Sequence, residues 1–96
     1  MTGYVISPRA QADIDGIWDY TVERWDGDQA VRYIRAIQEA IETIAADPAR
    51  GRSCEQVRAG YRKYAVGSHV IFYRRSADGI DVVRVLHQRM DFERHL

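Results

Sequence analysis

The chain has 96 residues, 46% of them apolar and 29% charged, the profile of one small globular domain rather than a disordered or fibrous chain. No run approaches ~18 consecutive apolar residues and MTGYVISPRA lacks a basic start before an apolar stretch, so neither a membrane-spanning helix nor a cleaved leader is expected, and a cytoplasmic location is. The formal net charge is zero, yet residues 1–49 hold four basic and nine acidic side chains, and residues 50–96 hold ten basic and five acidic. This division suits an acidic partner for the C-terminal half, or a dipolar surface without a role; it is not the uniformly basic profile of a protein that holds nucleic acid mainly through phosphates.

Tyr4-Val5-Ile6 is β-prone and stops at Ser7-Pro8, where serine suits a helix N-cap and proline the first helical position. Ala10, Ile14, Ile17, Trp18, Thr21 and Trp25 then recur at helical spacing, with Asp13, Asp15, Asp19 and Glu23 largely opposite. Trp18 and Trp25 are therefore expected in the core. Asp26-Gly27-Asp28 breaks this helix, and a second carries Ala30, Ile34, Ile37, Ile41 and Ile44 on one stripe. It is expected to end at Asp47-Pro48, since the residue before proline disfavours the helical region. Two amphipathic helices with so short a break predict a helical hairpin.

After a loop from Ala49 to Cys54 the period changes to two. Val57–Val66, His69–Arg75 and Ile80–His87 read as three strands, turned at Gly67-Ser68 and Asp78-Gly79 into an antiparallel meander. Placing Val66 opposite His69 and Arg75 opposite Ile80 defines two faces. One carries Ala65, Val70, Phe72, Val83 and Val85, with Lys63, Arg74 and His87 towards its ends, and is expected to lie on the helices. The other carries Arg62, Tyr64, Ile71, Tyr73, Val82 and Arg84 and is expected to be open. Arginines and tyrosines side by side suit partner recognition, or simply cross-strand pairing on a solvated sheet. The expected fold is thus α+β: an N-terminal strand (1–7) and helical hairpin (8–47) packed on a mainly antiparallel three- to four-stranded sheet whose meander spans 55–87. A tail (88–96) completes a single domain over 1–96.

The order strand, helical hairpin, meander resembles the RelE/ParE superfamily of bacterial toxins, and the motifs bring the chain closest to its ParE branch. They are Ser7-Pro8-Arg9-Ala10, Ile17-Trp18-Asp19-Tyr20, Asp47-Pro48 followed by Gly51-Arg52, Val57 to Lys63, Ile71-Phe72-Tyr73-Arg74, and above all Val83 to Asp91. The resemblance implies a ParE-like toxin of a type II toxin–antitoxin pair that inhibits DNA gyrase by binding, and so blocks replication. A cognate antitoxin would neutralise it through a disordered segment that folds on binding, giving a hetero-oligomer. No membrane partner and no sequence-specific nucleic-acid contact is expected. The likeness assigns target contact to the C-terminal region: Arg84, His87, Arg89, Met90 and Phe92. Trp18, Arg62, Tyr64, Tyr73 and Arg74 are the candidates for antitoxin contact.

The superfamily's other branch cuts messenger RNA on the ribosome. That chemistry needs an acid, a base and cations around the phosphate, roles that Arg62, Lys63, Arg74, Arg84 and His87 could divide. The tail QRMDFERHL lacks the terminal tyrosine typical of that branch, however, and the neutral charge departs from its basic character. A non-toxic protein that only binds the antitoxin is a third reading. No cofactor and no metal site is expected: His69, His87 and His95 lack ligand spacing and have no cysteine companion. Cys54 stands alone in a loop, where a thiol is normally inert. His87 suits a hydrogen-bonding role at a strand end better than catalysis. Residues 89–96 mix the anchors Met90, Phe92 and Leu96 with charges, a pattern that fits either a docking segment or a frayed end.

Overall fold

The structure, a computed structural model, describes residues 3–90 and 92–96. A strand, β1 (Gly3–Ile6), leads into two helices, α1 (Pro8–Arg24) and α2 (Gly27–Ala46). A 3₁₀ turn at Pro48–Arg50 precedes β2 (Arg52–Ser53), β3 (Tyr61–Val66), β4 (His69–Ser76), β5 (Gly79–His87) and a last turn of helix, α3 (Phe92–His95). The result is an α+β fold with one five-stranded sheet in the order β1-β5-β4-β3-β2. The sheet thus has more strands than the three or four read from the sequence. β2 spans two residues, too few to leave a period-two signal. β1 joins as an outer strand parallel to β5, Gly3 to Ile6 facing Gly79 to Val82.

The helix starts follow local chemistry. Ser7 Oγ accepts the Ala10 N–H at 3.1 Å and donates to the Val83 carbonyl at 2.9 Å, so one hydroxyl caps α1 and fastens it to β5. Asp26 caps α2 by accepting the Gln29 N–H at 2.7 Å. On α1 the buried residues are Ala10, Ile17 and Thr21, with Ile14 packed against the same core. Trp18 sits one residue, about 100° of helix, beyond Ile17, and Trp18 and Trp25 are 38% and 71% exposed. The core positions expected for both tryptophans are therefore corrected to surface positions.

The turns hold the expected registers, Val66 opposite His69 and Arg75 opposite Ile80. The faces, however, are exchanged through β3, β4 and the start of β5, whereas Val85 and His87 stand on the helix side as expected. Ile71, Tyr73, Val82 and Val85 are buried against Ile17, Ile37, Ile41 and Ile44 of the hairpin, with Tyr64 packed alongside. Val70, Phe72 and Leu86 lie on the other face with Cys54 and Tyr61, under Phe92 and Leu96. Two features hid this. A bulge between Phe72 and Tyr73 sets Phe72 opposite Arg84 and Tyr73 opposite Val82, leaving Val83 unpaired and shifting the alternation of β5. Moreover, both faces of β4 are covered, so Val70 to Tyr73 is apolar without alternation.

Tyr73, expected on an open face, is fully buried. Its hydroxyl donates to the Pro48 carbonyl at 2.7 Å and accepts the Gly51 N–H at 2.9 Å. A β-carbon at Gly51 would collide with that hydroxyl, so the Asp47-Pro48 to Gly51-Arg52 segment is the seat of a core tyrosine.

Candidate functional site: a histidine cleft and a clamped arginine

Beyond Ile6, β1 no longer covers β5, and the exposed edge is taken over by a side chain from α1. Asp13 accepts the Val85 N–H at 2.9 Å and both the Nε and Nη2 of Arg84, at 2.7 and 2.8 Å. The third arginine nitrogen, Nη1, donates to the His95 carbonyl at 2.9 Å. Only 11% of the Arg84 side chain and 14% of Asp13 are exposed. A two-pronged, charge-assisted pair of this kind is strong and directional. Its hydrogen bonds to Asp13 hold the Arg84 guanidinium above its ordinary pKa, against the opposing effect of burial. Arg84 was expected to project from an open face towards a target; instead it joins α1, β5 and α3.

Two imidazoles lie on the helix side of the sheet, one on β4 and one on β5. His69 and His87 are directly opposed across β4 and β5, their rings edge-on with centroids 5.3 Å apart. Tyr33 of α2 reaches over, its hydroxyl 2.6 Å from His69 Nδ1 and accepting the Ser68 N–H at 3.0 Å. That approach needs bare backbone in the β3–β4 turn, and Gly67 supplies it at φ 56°, where a β-carbon would also meet the Tyr33 ring. His87 Nδ1 accepts the Arg89 N–H at 3.1 Å, so a neutral His87 presents Nε2–H outwards. Burial lowers the pKa of His69 below its ordinary 6.5, aided by the neighbouring His87 and opposed by Asp13. At neutral pH His69 is an uncharged hydrogen-bonding group.

Two adjoining cavities open here. One of about 490 Å³ is bordered by Asp13, Gly16, Tyr20, His87 and Met90. The other, of about 350 Å³, is bordered by Arg24, Trp25, Gln29 and Tyr33. Tyr20, His69 and His87 border both. The cleft therefore offers aromatic and thioether surface interleaved with polar and charged groups, which suits a docked side chain that is both apolar and hydrogen-bonding.

The ten residues singled out in the sequence do not form one surface. His87 and Met90 border the cleft, and Arg89 is exposed beside it. Phe92 lies on the opposite side of the sheet, its ring 4.7 Å from that of Phe72. Trp18 is surface-exposed on α1. Arg62 donates to the Gly51 carbonyl at 2.8 Å, and Arg74 pairs with Asp81 at 3.2 Å. Tyr64 and Tyr73 are committed to the core on the helix side. The sequence reading missed Asp13 and Tyr33, whose partners lie 71 and 36 residues away and leave no local signal. Cys54 is buried, and burial raises its thiol pKa, which keeps it protonated and unreactive. Among the described residues no three His, Cys, Asp or Glu side chains gather into a metal-binding group. Nor, among them, is any helix long and apolar enough to cross a membrane.

Comparison with known proteins fits this architecture. The family model for the "ParE toxin of type II toxin-antitoxin system, parDE" matches residues 4–92. The chain is 55% identical over 94 residues to Toxin ParE1 of Mycobacterium tuberculosis, covering 97% of this chain and 96% of the relative. It is 48% identical over 96 residues to Toxin ParE1 of Caulobacter vibrioides, covering 100% and 99%. Among solved structures, the chromosomal ParDE TA system from P. aeruginosa superposes with a TM-score of 0.78 at 19% identity, covering 91% of this chain and 96% of that one. The YoeB-YefM complex from Staphylococcus aureus gives 0.60 at 15% identity, covering 92% and 98%. With a fold of the RelE/ParE type and near-complete alignment to named ParE toxins, the chain belongs to the ParE toxin family of type II toxin–antitoxin systems.

Proposed function

We propose that this ParE-family chain acts in the cytoplasm by binding DNA gyrase, stalling replication without making or breaking a bond through its own side chains. The observation that carries a binding rather than a catalytic mode is the dispersal of the groups a ribonuclease would need. Arg84 is clamped by Asp13, Arg62 is spent on a backbone carbonyl and Arg74 is paired with Asp81. His87 stands on the helix side of the sheet, while Lys63 belongs to the other cavity, on the outer face. A phosphate cannot meet these groups together, as acid–base catalysis requires. The residues left for target contact are His87, Arg89 and Met90 at the cleft, together with the tail that follows them and docks on the outer face. To test the mode, the purified chain is added to translating ribosomes and, separately, to immobilised gyrase. Intact messenger RNA with gyrase capture is the expected result; cleavage of the message would overturn the reading.

A cognate antitoxin is the second partner of the proposal. Trp18, Val22 and Trp25 are exposed along one side of α1, an apolar stripe of the kind that marks an interaction site. A disordered segment that folds on binding can cover it. Double replacement of Trp18 and Trp25 by alanine is expected to lower antitoxin affinity at least tenfold, with circular dichroism verifying that the variant is folded because Trp18 is only partly exposed. Unchanged affinity in a titration would move the antitoxin site elsewhere.

A further inference from the structure

The outer face of the sheet carries a second, chemically different cavity of about 480 Å³, bordered by Arg50, Arg52, Lys63, Gln88 and Phe92 over a floor of Ala65 and Val70. Among the described residues that border it, three are cationic and none is a carboxylate. Arg52 and Lys63 are directly opposed across β2 and β3, a like-charge pairing that destabilises a sheet unless something relieves it. Arg50 stands two positions before Arg52. Among the described residues, no carboxylate forms an ion pair with any of the three; the pairs present are Arg74–Asp81 and Arg84–Asp13. The cations of the rest of this half are mostly satisfied: Arg62 by the Gly51 carbonyl, Arg58 by the Leu96 backbone oxygen, Arg74 and Arg84 by carboxylates. Among the described residues, Arg50, Arg52 and Lys63 are thus a concentrated group of cations around one cavity with no carboxylate paired to them.

We infer that Arg50, Arg52 and Lys63 form a binding site for the phosphodiester backbone of a nucleic acid, held by charge and without base readout. This goes beyond the gyrase proposal and does not rest on it. Phosphates fit better than an acidic peptide for a geometric reason. A peptide adding to a sheet gains its affinity from main-chain hydrogen bonds along an edge strand, and β2 offers two residues of edge. Phosphates need only convergent forks and point charges, which two arginines and a lysine supply. The site is binding and not catalytic, since among the described residues that border it no carboxylate or imidazole stands beside the cations, and Tyr64 is packed against the core of the helix side. A neutral net charge does not oppose it, because contact with a backbone depends on the local field rather than the total.

The test is fluorescence anisotropy with the purified full chain and two labelled probes, a single-stranded DNA oligonucleotide and a duplex of the same sequence. Neutralising three phosphates predicts a slope of about −2 for log affinity against log salt on single strands, or roughly 20-fold weaker binding at 200 mM than at 50 mM salt. The duplex arm has the steeper expected slope, about −2.7, and separates the two sources of the same backbone. The variant R50Q/R52Q/K63Q is expected to lose binding to both probes at 50 mM salt. The control R32Q/R35Q, on exposed positions of α2, is expected to retain it, and circular dichroism verifies that each variant is folded. Binding that survives the triple change, or is lost equally in the control, would overturn the assignment. So would absence of binding by the unmodified chain, or displacement of the oligonucleotide by polyglutamate at equal charge concentration, which would mark the site as one for acidic peptide.

Discussion

The two faces of the sheet are finished in different ways. The inner face is closed by α1 and α2, whose isoleucines meet Ile71, Tyr73, Ile80, Val82 and Val85 in one continuous core. The outer face has a smaller cluster, Cys54, Tyr61, Val70, Phe72 and Leu86, covered by Phe92 and Leu96 of the tail. A four-residue helix is far below the length at which helices hold themselves in water. α3 is thus kept in place by the Phe72–Phe92 contact and by Arg58 and Arg84 bonding the Leu96 and His95 carbonyls. The inner face is the source of stability, while the outer face is lightly covered and bordered by cations. Function is better placed on surfaces whose rearrangement leaves the core intact.

Changes that cut the link between the faces should have the largest effect. Asp13→Ala leaves a mostly buried guanidinium without its carboxylate, and a loss of about 3–5 kcal/mol in denaturant unfolding is expected. Arg84→Ala should behave alike, and in a double-mutant cycle the two should be far from additive. Additivity would show that the pair is incidental. A loss of toxicity in Arg84→Ala therefore reports on folding before it reports on target contact.

The next comparison sets the two covers against each other. Ile41→Ala in the inner core should lose about 2–5 kcal/mol, as core truncations of that size do. Phe92→Ala removes a half-buried ring and should lose no more than about 1–2 kcal/mol. Equal losses would mean that the tail is part of the core. Removal of residues 91–96 should accordingly leave a folded chain that still binds antitoxin through α1 and no longer inhibits gyrase. Undiminished inhibition by a folded truncation would place target contact at the cleft alone.

The smallest expected effect is one of pH. His69 has a depressed pKa in the folded chain, so the unfolded chain takes up its proton first as pH falls. Stability from this group is complete above about 6.5 and is lost as pH drops through the lower folded value. Thermal melts between pH 7.5 and 5 should show a loss that His69→Asn diminishes. An equal pH dependence in the variant would assign it to other groups.

These contrasts also explain what the sequence made legible. Ser7, Asp26 and Asp47-Pro48 act on their immediate neighbours, so the hairpin could be read locally. The turns at Gly67-Ser68 and Asp78-Gly79 likewise set the registers of Val66 with His69 and Arg75 with Ile80. The orientation of the sheet depends on non-local facts: a bulge opposite Val83 and a tail that covers Phe72. With both faces of β4 apolar, alternation could not choose between them, and Tyr73 was assigned to a surface when it fills the core. For the site, His87 and Met90 were legible as a terminal cluster. Asp13 was read as solvent-facing, because the strand edge it completes is distant in sequence.

The most direct test of the account is a plasmid supercoiling assay with purified gyrase and the purified chain, scored for lost supercoiling and for linear DNA. The account predicts lost supercoiling or accumulated breaks, reversed by the cognate antitoxin and absent with the chain lacking residues 91–96. Undisturbed supercoiling by a demonstrably folded sample would contradict the gyrase reading.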